Sequence, residues 1–242
     1  NAMHPKIDRD HFGQIVDLAY LQWDSPPKTE NYHRFALMTQ GKEPEALMGL
    51  VRLALRGMDG EVAEAYLAEA AAMGAPPVEI AYGCALAAFV RGKRKESLAA
   101  LGELAGQTPG DLRIWMALAL FADKRDPMRE EALTTLRRNG AKNVDVQLAL
   151  ARMHLLRYQW AEAQQALEQA VRLPGADARA WEALADVARI RGNVPLLESS
   201  LKTLLARKPN HPLGRLSAAE KFAAYGAWHD AETELRRAMA EE

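Results

Sequence analysis

The chain has 242 residues, 49% of them hydrophobic, and sets 31 Lys+Arg against 32 Asp+Glu for a formal net charge of -1. That much apolar content excludes an intrinsically disordered chain, and the even charge balance argues against broad electrostatic binding of nucleic acid, which shows as a basic excess. The single cysteine, Cys84, excludes an internal disulfide and fits a reducing compartment.

Asn1-Ala2 ahead of Met3 reads as the remnant of a removed tag. His4 to Asp10 lacks the apolar core of a secretory signal, and no run of about 18 apolar residues follows that could span a membrane. With Met3 as a native start, a cytoplasmic location without membrane insertion is expected.

Residues 3–43 read as a divergent N-terminal helical hairpin. Phe12, Ile15, Val16, Ala19, Tyr20 and Trp23 recur at helical spacing and predict one amphipathic helix. Asp24-Ser25-Pro26-Pro27 breaks it, and Tyr32, Phe35, Ala36 and Met38 predict a second, shorter helix ending at Gly41.

From residue 44 the chain repeats. Leu67, Leu101, Leu136, Leu167, Leu201 and Leu235 are separated by 34, 35, 31, 34 and 34 residues. Four residues before each stand Ala63, Ser97, Ala132, Ala163, Leu197 and Ala231, all small except Leu197. A small residue and a leucine four apart share one helical face, and a fixed period near 34 marks stacked helical hairpins. The copies run 44–77, 78–111, 112–143, 144–177, 178–211 and 212–242, as one continuous domain. Copy 112–143 is irregular, with Ala132 and Leu136 one position late and Asn139-Gly140 ending its second helix.

Turn formers fall in phase. Asp59-Gly60, Arg91-Gly92-Lys93, Gly192-Asn193 and Tyr225-Gly226 mark reversals within hairpins. Pro76-Pro77, Pro109-Gly110, Pro174-Gly175 and Pro209-Asn210 mark the joins between them, and Asp177 is a predicted N-cap. The chain stops within the second helix of its last hairpin, with Leu235, Ala238 and Met239 lacking a polar cap. That predicts either a longer parent protein or self-association through this hairpin.

The copies resemble the tetratricopeptide repeat family, whose pattern sets large residues at repeat positions 4 and 24, leucine at 7, small residues at 8, 20 and 27 and proline at 32. Residues 178–211 match most fully, with Trp181, Leu184, Ala185, Leu201 and Pro209, and depart at Leu197 and Leu204. The resemblance covers residues 44–242. It implies an all-α, right-handed α-solenoid of stacked antiparallel helical hairpins. It also implies a concave surface lined by positions 2, 5, 9 and 12 of each first helix. Carried over, that surface includes Met48, Arg52, Tyr82, Leu86, Phe89, Met116, Leu120, Leu148, Arg152 and Leu155. Beyond them the lining turns charged, with Arg179, Glu182, Asp186 and Arg189.

An apolar groove flanked by arginines fits a peptide or amphipathic helix of another protein carrying acidic residues. The competing reading is that superhelical curvature, or the N-terminal hairpin folding inward, buries these residues. The lysine, arginine and asparagine clamp of the chaperone-binding relatives does not transfer, because no asparagine stands at position 9. The first expectation is therefore a non-catalytic interaction scaffold. The alternative is an accessory, substrate-recruiting region of a larger enzyme or of a secretion or assembly machine. An RNA-reading helical repeat fits poorly with the apolar groove and the charge balance.

No phosphate loop, nucleophile elbow or helical metal pair is present, so no catalytic residue, metal or cofactor is expected. His154 falls at a packing position and reads as a core histidine. Cys84 falls where the resembled family buries leucine and reads as a small buried hydrophobe. Trp160 and Trp228 follow hairpin turns and read as partly exposed.

Overall fold

Each period of the sequence holds two apolar-periodic stretches divided by a turn former, and each stretch is a helix in the structure. That structure is a computed structural model describing residues 9–20, 44–209 and 211–239. Thirteen helices lie among the described residues. They are α1 (Arg9–Ala19), α2 (Pro44–Arg56), α3 (Gly60–Ala72), α4 (Pro77–Val90), α5 (Arg94–Gln107), α6 (Leu112–Phe121), α7 (Pro127–Asn139), α8 (Val144–Leu155), α9 (Trp160–Arg172), α10 (Ala178–Ile190), α11 (Val194–Arg207), α12 (Pro212–Ala224) and α13 (Trp228–Met239). No strand occurs among the described residues.

The helices pair in sequence order, α2 with α3, α4 with α5, α6 with α7, and likewise to α12 with α13. The short turns make each pair antiparallel. Second helices pack on the next first helix, α3 on α4, α5 on α6, α9 on α10 and α11 on α12. This is the stacked-hairpin architecture of an α-solenoid. The chain divides into two compact units, residues 1–141 and 142–242. The second helix predicted within 32–41 lies outside the described residues, as do Trp23 and Asn210.

Capping explains the sharp helix starts. Asp59, Asp111, Asp126, Asn143, Asp177 and Asn193 each accept a hydrogen bond from a backbone N–H of the helix they precede. Pro77, Pro127 and Pro212 open their helices, where a missing N–H costs nothing.

The turns inside the regular hairpins share one left-handed residue, always at the same repeat position: Met58 (φ 61°), Gly92 (77°), Tyr158 (58°), Gly192 (67°) and Gly226 (74°). In the first hairpin this corrects the prediction. Gly60 is the first residue of α3, Asp59 is its N-cap, and the left-handed position belongs to Met58. The irregular copy has no such residue. There α6 stops at Phe121, Ala122 is extended, and Asp126 starts α7 after a longer link. Gly140 does end α7, but at φ -89°, so its lack of a side chain is not what the turn requires.

Leu67, Leu101, Leu136, Leu167 and Leu201 are buried together with Ala63, Ser97, Ala132 and Ala163. Leu235, at the same repeat position, is 42% exposed, and no described helix follows α13 to cover it.

Charged clips repeat with the same register. Arg113 binds its own N-cap Asp111 and reaches back to Glu79 at 2.6 Å. Arg179 does the same with Asp177 at 2.7 Å and Asp145 at 3.1 Å. Arg91 pairs with Glu64 of the preceding hairpin, and Arg191 with Gln164.

Candidate functional site

The first helices of unit 1, α2, α4 and α6, present Met48, Arg52, Tyr82, Leu86, Phe89, Met116 and Leu120, while Leu148, Arg152 and Leu155 lie on α8 of unit 2; α1 packs on α2 and α6. The spacing of Ile15, Val16, Ala19 and Tyr20 makes α1 amphipathic, and Val16, Leu18 and Ala19 are buried. A helix that only capped the end of the stack would pack on α2 alone. Instead α1 packs on both α2 and α6, and its last turn is tied to α4, where the Tyr82 hydroxyl donates to the carbonyl of Ala19. That carbonyl has no partner within α1, as is usual for a helix C-terminus.

Asp17 carries the electrostatics of the docking. Arg52 donates to its carboxylate at 2.8 Å, and Arg56, one turn further along α2, donates to the other carboxylate oxygen. The Asp17 side chain is 3% exposed and that of Arg52 7%. Beyond the pair, Tyr20 meets Tyr82 edge to face, with ring centroids 5.5 Å apart at 79°. The Arg52 guanidinium stands 5.3 Å from the Tyr20 ring centre, and that of Arg113 stands 5.5 Å from the Tyr82 ring centre. Burial pushes both phenols well above their usual value, so both remain protonated donors. Tyr82 uses its proton on α1, whereas the buried Tyr20 hydroxyl has no partner among the described residues.

The predicted groove residues fall into two groups. Arg52, Tyr82, Leu86, Met116 and Leu148 are buried, while Met48, Phe89, Leu120, Arg152 and Leu155 are half-buried. Phe89 is stacked on Phe121 at 3.8 Å between ring centres. In unit 1 the face therefore holds a resident helix rather than open solvent. What α1 leaves uncovered is a cleft of about 580 Å³ walled by Tyr20, Met48, Ala75 and Pro76, with Arg52, Glu79 and Arg113 at its polar side. Asp111 sits beside it. Partial burial opposes its charge, but the hydrogen bond and charge of Arg113 prevail and hold its carboxyl below the usual range.

Sequence reasoning missed Asp17, Arg56, Tyr20 and Arg113 as partners of this face. Asp17 is one acid on a mixed helix, and nothing local distinguishes it. Cys84, expected in the core, is exposed. The neighbouring Gly83 is what approaches the preceding hairpin, since a Cβ there would lie 2.5 Å from Leu67 Cδ2. His154 is buried, with Nδ1 2.9 Å from Gln159 Oε1.

In unit 2, Tyr158 and Trp160 pack edge to face at a hairpin turn next to the exposed Ile190. Trp160 is half-buried and Trp228 is 70% exposed. Leu216, Leu235 and Met239 are exposed around a second cleft beside His211 and Glu182. Among the described residues no group of three or more His, Cys, Asp or Glu side chains could hold a metal ion. None of the described helices is long and apolar enough to cross a membrane.

No protein-family model and no curated protein matches the chain. Among solved structures it is similar to a thermophilic TPR protein of Thermus thermophilus, at 19% identity and a TM-score of 0.48, covering 73% of this chain and 97% of that one. It is also similar to the APC/C hetero-tetramer Cut9-Hcn1, at 12% identity and a TM-score of 0.45, covering 99% of this chain and 47% of that one.

Proposed function

We propose that the chain is a protein–protein interaction scaffold whose first-helix face in unit 1 holds a helical or extended segment of another protein. The docking of α1 is the observation that carries this reading. There α2, α4 and α6 together accept an amphipathic helix, with Arg52 and Arg56 taking a carboxylate and Tyr82 taking the last carbonyl. The cleft beside α1 continues that face with apolar walls and leaves room for more chain. A partner segment entering it would bury Met48, Ala75 and Pro76.

The chemistry present suits binding rather than turnover. The perturbed groups at the face are phenols held protonated, an arginine held charged by Asp111 and Glu79, and the Asp111 carboxyl held below its usual range by that arginine, none of them poised as a base or nucleophile. The apolar content of the cleft supplies affinity and the arginines supply selectivity.

The test is affinity purification with the whole chain as bait, comparing wild type, Met48→Arg in the cleft and Trp228→Arg far from it in sequence. A genuine partner is recovered by wild type and Trp228→Arg and lost with Met48→Arg. Equal recovery by all three, with helicity unchanged by circular dichroism, refutes the assignment of the site.

A further inference from the structure

We infer that α1 is an exchangeable ligand of the face it covers, a tethered competitor that a partner helix carrying an acidic residue displaces; this rests on the scaffold reading above. Three features of the docking point to exchange. First, α1 is held by groups that also suit a ligand in trans. Two arginines one turn apart on α2 take one carboxylate, and the Tyr82 hydroxyl takes a main-chain carbonyl, which any helix can supply. Second, α1 runs only from Arg9 to Ala19. A helix of that length is marginal in water and depends on its docking surface to form. Third, α1 packs on α2 and α6, and each of the hairpins α2–α3, α4–α5 and α6–α7 has its own partner helix without it.

The tether sets the competition. α1 and the face it covers belong to one chain, so α1 competes for that face intramolecularly, at an effective concentration that a helix in trans must exceed. A helix in trans therefore binds weakly until α1 is released. The occupant that α1 mimics is defined by its own contacts. It is a helix with small and branched apolar residues in its last turn, as Val16, Leu18 and Ala19 provide, and a carboxylate two residues from its C-terminal end, as Asp17 provides. A helix bearing lysine in place of that acid would bring a cation against Arg52 and Arg56 and is excluded.

The experiment uses the full chain and a fluorescein-labelled synthetic peptide of residues 8–20, read by fluorescence anisotropy. Asp17→Arg in the chain sets a third guanidinium against those of Arg52 and Arg56 and releases α1. The peptide binds this variant about tenfold or more tightly than wild type, and the same peptide with Asp17→Lys binds neither. Hydrogen exchange on the unaltered chain is the second arm. The amides of Ile15–Ala19 exchange through a local opening, faster than those of α5, which open only with the unit. A peptide that fails to saturate a folded Asp17→Arg chain overturns the proposal. Protection of α1 equal to that of α5 overturns it too, and holds even where the variant does not fold. Either failure leaves partner loss with Met48→Arg standing, whereas failure of that purification test removes the scaffold reading itself.

Discussion

The carboxylate of Asp17 and the guanidinium of Arg52 meet at 2.8 Å across 35 residues of sequence, both nearly sealed from water. A buried ion pair adds little over apolar packing, but breaking one leaves a charge without its partner. Arg52→Met keeps most of the volume and removes a charged hydrogen bond from Asp17, which retains Arg56. The expected cost is about 1–3 kcal/mol, falling on α1 first. Chemical denaturation with hydrogen exchange at Ile15–Ala19 checks it. An unchanged midpoint and unchanged exchange would mean that the pair contributes nothing to docking.

The repeat leucines do not contribute equally. Leu167 is fully buried, and Leu167→Ala should cost about 2–5 kcal/mol for lost transfer energy and the cavity left behind. Leu235 occupies the same repeat position but is 42% exposed. Leu235→Ala should therefore cost well under about 1 kcal/mol, in the range of surface substitutions. Denaturant titration of both variants makes the comparison. Equal losses would place a covering element over α13.

Those leucines were legible because each helical hairpin carries a leucine four residues after a position that is small in five of six copies, and that pattern recurs with the period. The N-terminal helix was legible as a helix for the same reason. Its docking site was not, because the Asp17–Arg52 contact depends on where three hairpins place their first helices, and no local pattern encodes that. Cys84 went astray for a related cause. Its repeat position predicts burial, but Gly83 takes the close approach to Leu67 and turns the thiol outward. The sequence left open whether the groove residues face solvent or the N-terminal hairpin; Arg52 and Tyr82 are the two that bond to α1.

Tyr158 stands at φ 58°, where the equivalent residues of three other hairpins are glycine. A side chain in that region costs about 1–2 kcal/mol. The ring is 79% exposed, so little burial offsets the strain, and its edge contact with Trp160 is solvated. Tyr158→Gly should raise stability by about 0.5–1 kcal/mol once the larger freedom of glycine in the unfolded chain is counted. The reciprocal Gly192→Ala should destabilise. Thermal unfolding of the pair is decisive, and a loss for Tyr158→Gly would show that the ring is held by a contact worth more than the strain.

Gly83 packs directly on the preceding hairpin. A Cβ at that position would lie 2.5 Å from Leu67 Cδ2 and 3.3 Å from Cδ1. Leu67 is itself buried, so its side chain has little room to turn away. Gly83→Ala should cost about 1–3 kcal/mol through overpacking, despite the better helix propensity of alanine. Shortening the neighbour should recover part of that loss, so Leu67→Val and Gly83→Ala together should destabilise less than the sum of the two. A double-mutant cycle measures the coupling. Simple additivity would contradict the contact.

Asp111 offers a pH-dependent check on the clip between hairpins. Burial works against its charge, but the Arg113 hydrogen bond and positive charge win and lower its folded value. An aspartate unfolds to a value of about 3.9, so its contribution is fully present above that pH. It is lost as the pH falls through the depressed folded value. Asp111→Asn keeps the N-cap oxygen for Arg113 N, removes the charge and replaces the oxygen that accepts from Arg113 Nη2 by an amide donor. Because the pair is partly exposed, the loss at neutral pH should stay under about 1 kcal/mol. The gap between wild type and Asp111→Asn in urea unfolding should close below about pH 4. A gap that persists unchanged into acid would assign the effect to capping geometry rather than to the charge on Asp111.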